Sequence, residues 1–244
     1  MTIDRRTMLA WAASLPMAGC RSDRRDRIRV AAASSLATVA DDLTDAWRSA
    51  TSDDHRVDWT FAASGILAIQ IAAGLPADIF LAADRRHADR IAQTIAAATP
   101  VADYAVGQLV WYPGKPATAP ESIAIADPAT APYGAASMQT IESMRWRETR
   151  IVQAASAAAV VQMVDADAAP VGLTAASLIA TSSLGGRTQD IAVDPSMHDP
   201  IRHAGLCLSP RSTPAMSFWQ FLRGVASDPV WQRHGFEAVN RTDV

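Results

Sequence analysis

From Ile28 onward, short uninterrupted apolar runs alternate with longer segments whose apolar residues return every three or four positions. The runs have the length of buried strands, and the longer period is that of a helix packed on one face. Ile28–Ala33 is the first run, and Leu36, Val39, Ala40, Leu43 and Trp47 follow at helical spacing. The alternation then recurs. Val57–Ala62 predicts a strand and Ser64–Gly74 a helix stopped by Gly74; Asp78–Ala82 predicts a strand, and Ala88–Ala97 a helix capped by Asp84. Around residue 105 the chain changes lobes. Leu109–Tyr112 and Ile123–Ala126 predict strands, and the turn-rich stretch Asp127–Gly134 leads into a helix carrying Met138, Ile141 and Met144. Arg150–Val152, Val171–Leu173 and Ile191–Val193 predict strands, with helices over Ala157–Val164 and Ala175–Thr181. A strand at 204–208, a helix through Phe218, Phe221, Leu222 and Val225, and a terminal helix opened by Asp228-Pro229 complete the pattern. Strands alternating with helices give an α/β fold with largely parallel sheets.

The joints between strand and helix carry the functional signal. At Ser35, Ser64, Tyr133 and Ala157 an apolar strand runs into a small or hydroxyl residue, and a helix is expected to start there. The next three residues are Leu36-Ala37-Thr38, Gly65-Ile66-Leu67, Gly134-Ala135-Ala136 and Ala158-Ala159-Val160, with no charged side chain among them. Acids are favoured at helix N-termini, so their absence leaves the positive end of each dipole open. In open α/β sheets ligands lie beyond the carboxyl ends of the strands, where such loops collect. Helix starts converging there offer backbone N–H groups to an anion without any lysine or arginine.

Composition narrows the class. The chain has 244 residues, 49% apolar and 19% charged, with a formal net charge of −3, so it builds a substantial core and is not a nucleic-acid binder. The first twenty residues read as export machinery. Arg5-Arg6 opens a basic region, Met8–Ala18 is an apolar run too short to span a bilayer, and Met17-Ala18-Gly19-Cys20 resembles a lipobox with Cys20 as the lipidated residue. Asp4-Arg5-Arg6-Thr7 also resembles a twin-arginine signal, without excluding an ordinary export signal. Residues 1–19 are expected to be removed and residues 20–27 to form a charged tether. Their loss takes away a net +1 and leaves a mature charge of −4. Cys207 lies in an apolar run and is expected as a small buried hydrophobe.

Other chemistry fares less well. No G-x-S-x-G elbow occurs, and Ser64 in Ala63-Ser64-Gly65 lacks its first glycine, which argues against a serine hydrolase. Asp84 with His87 and His198 with His203 are loose metal pairs in loop-like flanks, better read as solvated side chains. Trp47, Trp59, Trp111, Trp146, Trp219 and Trp231 are scattered as core residues would be, not lined up as a sugar platform.

Residues 28–244 resemble the molybdate-binding proteins of bacterial ABC transporters, within the two-lobed periplasmic binding proteins. The resemblance rests on Val30-Ala31-Ala32-Ala33-Ser34-Ser35-Leu36, Phe61-Ala62-Ala63-Ser64, Gln70-Ile71-Ala72-Ala73-Gly74-Leu75-Pro76-Ala77-Asp78-Ile79-Phe80, Ala83-Asp84 and Arg233-His234-Gly235-Phe236. It implies a type II periplasmic-binding fold, each lobe a mixed sheet flanked by helices, with 28–105 and 199–244 as lobe one and 106–198 as lobe two. It implies capture of a tetrahedral oxyanion of molybdenum or tungsten between the lobes. Ser35 and Ser64 would contribute hydroxyl and amide contacts; Tyr133 and Ala157 would contribute backbone amides. It further implies no enzyme activity, no cofactor, a monomer in the periplasm or cell envelope, permease subunits as partners, and membrane contact through the lipid anchor alone. Many members carry a ligand-contacting tyrosine where this chain has Ala175; Thr174 or the Tyr133 hydroxyl would then stand in. Three other readings remain open. One is the same fold holding sulfate or an organic carboxylate, to which a guanidinium in the cleft would point. The others are a hydrolase using Ser64 and a sensing subunit of the same fold. Tetrahedral oxyanions without protons only accept hydrogen bonds, so a pocket of donors suits them, and a buried carboxylate would repel them.

Overall fold

A computed structural model describes residues 27–179 and 191–239. The export segment 1–19, Cys20 and nearly all of the tether lie outside the described residues, as do the end of the 175–181 segment and residues 240–244. Strand β1 (Arg27–Ala33) shows why both faces of the first sheet are covered. Its residues Ile28, Val30 and Ala32 point into one core with Trp47, Phe218, Trp219 and Trp231, while Ala31 points into another with Leu67, Phe80 and Ile91. Alternate side chains leave a strand on opposite faces, so a run apolar at both parities needs helices on both sides.

Those helices are α1 (Ala40–Thr51), α6 (Thr213–Leu222) and α7 (Asp228–Arg233) on one face, and α2 (Ser64–Ala72) and α3 (Arg85–Thr94) on the other. The six-stranded sheet runs β10 (Phe236–Glu237), β4 (Ala102–Gly107), β9 (Ile201–Cys207), β3 (Ile79–Ala82), β1, β2 (Arg56–Ala62). Within it β1 is parallel to β2 and β3, whereas β9 is antiparallel to β3 and β4. A second sheet of four strands runs β5 (Leu109–Tyr112), β8 (Gly172–Ala175), β6 (Ser122–Ala126), β7 (Arg150–Ala154). Here β6 is parallel to β7 and β8, and β5 is antiparallel to β8. Helix α4 (Pro132–Ser143) covers one face through Tyr133, Ala136 and Ile141, and α5 (Ala157–Asp165) the other through Val160 and Val164.

The helix ends follow local chemistry. Asp84 caps α3, its Oδ1 accepting from the His87 amide at 3.0 Å, and Ser156 caps α5 by accepting from the Ala159 amide at 3.3 Å. Proline occupies a first-turn position of α4, α6 and α7, where its missing N–H has no intrahelical partner to lose.

Four sequence expectations need correction. The first helix does not start at Ser35: residues Ser34–Leu36 form one 3-10 turn, and α1 begins at Ala40 with Asp41 and Asp42 in its first turn. The segment expected as a helix from Ala175 contains a 3-10 turn at Ala176–Leu178. The strand expected over Ile191–Val193 is a single bridge, Ala192 to Val110. Strand β4 was not expected, because a register shift between Asp103 and Ala105 breaks its two-residue period.

Candidate ligand site

The parallel strands of the two sheets place their carboxyl ends at one seam. Register sets Ala33 beside Ala62 at the ends of β1 and β2, and Ala126 beside Ala154 at the ends of β6 and β7. The four starts follow from those ends. Across the seam, Ala33 and Ala83 share one buried cluster with Tyr133 and Ala157, and Ala63 shares another with Ala126 and Ala131. The structure therefore brings the Ser35, Ser64, Tyr133 and Ala157 turns together; all four residues are buried.

Their chemistry differs. Ser64 is the first residue of α2, and its Oγ accepts from the Ala83 amide at 2.9 Å, which directs the hydroxyl proton elsewhere. The next amide, Gly65, crosses the seam to the Thr130 carbonyl at 2.9 Å. Tyr133 is the second residue of α4, a turn kept uncharged and closely packed: a Cβ on Gly134 would stand 2.2 Å from the Ala126 carbonyl oxygen. Ala157 opens α5, and its carbonyl accepts from Thr174 Oγ1 at 2.8 Å. Ser35 is 1% exposed, and its Oγ makes no hydrogen bond. A buried hydroxyl without a partner is costly, by roughly 1–3 kcal/mol, which marks it as a group kept for something else.

A second contact crosses the seam beside Ser35. Ser177, just after β8, donates from Oγ to the Ser35 carbonyl at 2.7 Å, and Thr38 Oγ1 donates back to the Ser177 carbonyl at 2.8 Å. The Tyr133 phenol reaches over to β9, where its Oη lies 3.1 Å from His203 Nε2. His203 Nδ1 lies 3.2 Å from Tyr104 Oη, and Tyr104 donates to the Ala82 carbonyl at 3.0 Å. Burial pushes the His203 pKa down to about 3, against a weaker opposing pull from the Asp84 charge, so the ring is neutral at pH 7. Burial likewise raises the Tyr133 pKa, and the neighbouring Ser35 hydroxyl only partly offsets this.

Positive charge is kept away from the seam, while the half-buried Asp84, next to Ala83, lies close enough for its charge to act on His203 and Tyr104. No lysine or arginine is buried among the described residues. The buried carboxylate, Asp78, lies at the opposite ends of β1 and β3, with both oxygens on Arg29 at 2.9 Å. Burial pushes the Asp78 pKa up, but the Arg29 and Ser209 bonds outweigh that and hold it below the usual carboxylate range. An open groove of about 420 Å³ between Leu109, Val193 and Arg202 touches none of the four turns. The trio Asp53, Asp54 and His55, of which Asp54 is exposed and the other two half-buried, precedes β2 and so lies at the opposite end of that strand from Ser64.

Sequence reasoning missed His203, Ser177 and Thr130. It placed His203 in solvent with His87, yet His203 is 0% exposed and His87 5%. The available signal was the run Ile201–Cys207, in which His203 holds an inward position of a central strand. Thr174 does not stand in for the absent tyrosine, because its hydroxyl proton is held by the Ala157 carbonyl; Ala175 itself is buried opposite Leu109 in the sheet. Four of the six tryptophans assigned to the core, Trp47, Trp111, Trp219 and Trp231, are fully buried, and Cys207 is buried and reduced.

Two mixed sheets whose strand ends meet across a seam, with uncharged turns facing one another there, define the periplasmic-binding-protein fold. The chain belongs to the bacterial extracellular solute-binding protein family, whose profile matches residues 28–237. That family is one of solute-binding proteins and not of enzymes. The chain is 29% identical over 199 residues to the molybdate-binding protein ModA of Rhodobacter capsulatus, covering 75% of this chain and 77% of that one. It is 28% identical over 230 residues to ModA of Azotobacter vinelandii, covering 86% and 89%. The solved periplasmic molybdate-binding protein of Azotobacter vinelandii superposes with a TM-score of 0.74 at 22% identity, over 87% of this chain and all of that one.

Proposed function

We propose that this chain captures molybdate or tungstate outside the cytoplasm and delivers it to the permease subunits of an ABC importer. The observation that carries the reading is the meeting of four uncharged turns around a buried Ser35 hydroxyl that has no protein partner. In this reading the Ser35 and Ser64 hydroxyls and amides, with the Tyr133 and Ala157 amides, donate to the four oxygens of the anion. Each such bond to a charged acceptor contributes about 1.5–3 kcal/mol. The donors need no formal charge, because several fixed N–H dipoles in a dry seam do the work of a cation.

The rest of the reading is proposed with it. Strand β4 runs to Gly107 in the six-stranded sheet, so the first lobe extends past the expected 105 to residue 107 and resumes at 199, and the second takes 108–198; hinge closure buries the ion and shapes the face a permease recognises. The protein acts as a monomer without catalysis or cofactor, and Cys20 carries the lipid that holds it to the membrane. Calorimetric titration of the full chain with molybdate, tungstate, sulfate and phosphate tests this. Tight binding of molybdate and tungstate is expected. No heat with any of the four would sink the oxyanion reading, and sulfate alone would move the ligand while keeping the class.

A further inference from the structure

Counting protons along the buried chain behind Ser35 fixes the direction of every bond in it. Tyr104 has one hydroxyl proton, and the Ala82 carbonyl, 3.0 Å away, can only accept it. Tyr104 Oη must therefore accept from His203 Nδ1, so Nδ1 carries the imidazole proton and Nε2 offers its lone pair. Tyr133 Oη then donates to Nε2 at 3.1 Å. The phenol proton is thus held away from Ser35, whose hydroxyl neighbours Tyr133 Oη, so between these two groups Ser35 can only be the donor.

We propose that His203 is a positioning residue for the anion site: by accepting the Tyr133 phenol proton it ties the first turn of α4 to strand β9 and keeps that proton off Ser35 Oγ, so that the Ser35 hydroxyl stays a donor. The inference rests on the oxyanion reading above and assigns that site a part beyond its four turns. Three further observations support it. His203 is enclosed by aromatic rings, with centroids at 5.7 Å to Tyr104, 5.8 Å to Tyr133 and 5.2 Å to Phe236, so it has one orientation. Position 107 is a glycine whose added Cβ would stand 2.0 Å from Tyr133 Oη and 2.9 Å from His203 Nε2, so the backbone makes room for this pair. The bond also joins elements of different sheets, since Tyr133 lies in the first turn of the helix over the four-stranded sheet and His203 lies in the six-stranded one.

The test is a double-mutant cycle on the full chain with molybdate as probe, read by calorimetry beside thermal melting. Tyr133→Phe removes one oxygen and leaves ring and amides in place; it should weaken binding about tenfold, the equivalent of one buried hydrogen bond. His203→Phe should weaken it similarly, and the double variant no further than either single one, because both remove the same bond. His203→Gln, which keeps an acceptor, should recover most of the loss. In the wild-type chain, nitrogen-15 NMR should find the His203 proton on Nδ1. Tyr133→Phe binding like wild type, an additive cycle, or the proton on Nε2 would overturn the role while leaving the oxyanion reading intact. Should His203→Phe not fold, Tyr133→Phe and the tautomer decide the matter alone. If the wild type binds none of the four anions, the underlying reading fails and this inference with it.

Discussion

Ser35 and Ser64 occupy matching places, each just past the end of a parallel strand, and the register even sets Ala33 beside Ala62. Yet they do different work. Ser64 begins a nine-residue helix and holds the neighbouring strand end by accepting from the Ala83 amide. Ser35 sits in a single 3-10 turn, is pinned from outside by Ser177 through its carbonyl, and leaves its hydroxyl without a partner. In the proposed site one serine hydroxyl is structural as well as a donor, and the other would be a donor only. The difference comes from what lies alongside. β2 is an edge strand with β1 on one side, so its exit turn must be tied to the sheet by a side chain; β1 lies between β2 and β3, and its exit turn is held instead across the seam.

The comparison can be broken in several ways. The largest effect is expected from Gly134→Ala, since the new Cβ would meet a backbone oxygen that cannot move aside. Forcing α4 outward should cost about 1–3 kcal/mol of stability and weaken anion binding by up to about a hundredfold. Urea melts and calorimetry check it, and an unchanged α4 variant would mean the seam is less tightly packed than described.

Next come the serines themselves. Ser64→Ala leaves the buried Ala83 amide unsatisfied and should cost about 1–3 kcal/mol of stability in urea melts, with affinity lost as well. Ser35→Ala should leave stability unchanged or raise it by up to about 1–3 kcal/mol, because it removes a buried hydroxyl that has no partner and breaks no bond, yet weaken the anion roughly ten- to hundredfold. Equal stability losses for the two would erase the distinction drawn between them.

The pH dependence probes the same region from behind. His203 has a folded pKa of about 3, below the ordinary value of 6.5. Above pH 6.5 both folded and unfolded chains carry it neutral, and its contribution to stability is fully present. As pH falls from there toward 3 the unfolded chain takes up the proton first, so stability declines through that window. His203→Gln should flatten the decline between pH 6.5 and 4 in urea melts; an unchanged profile would show that burial does not set this group's charge. The smallest effect is expected at Arg56, 74% exposed and paired with Asp58 at the far end of β2. Arg56→Gln should change stability by no more than about 1 kcal/mol and anion affinity not at all.

Much of the fold was legible in the sequence because burial on both faces forces apolar runs, and capping residues such as Asp84 and Pro229 announce helix ends. The strands at Leu109–Tyr112 and Ile123–Ala126 are where their composition places them. β4 was illegible because its bulge mixes the two parities, and β10 because two residues carry no period. Among the turns, Ala157 and Ser64 could be read as helix starts, since composition and local hydrogen bonding fix them. Ser35 could not, since its turn is set by Ser177, 142 residues away.

The sequence by itself determined which strands and helices form, and that several uncharged turns would follow strand ends; those are consequences of side-chain polarity and local backbone preference. Only the tertiary structure decided which turns meet, that Ser35 is left without a partner, and that His203 lies buried behind Tyr133. A residue's hydrogen bonds and protonation depend on neighbours brought from distant parts of the chain, and no local pattern encodes them.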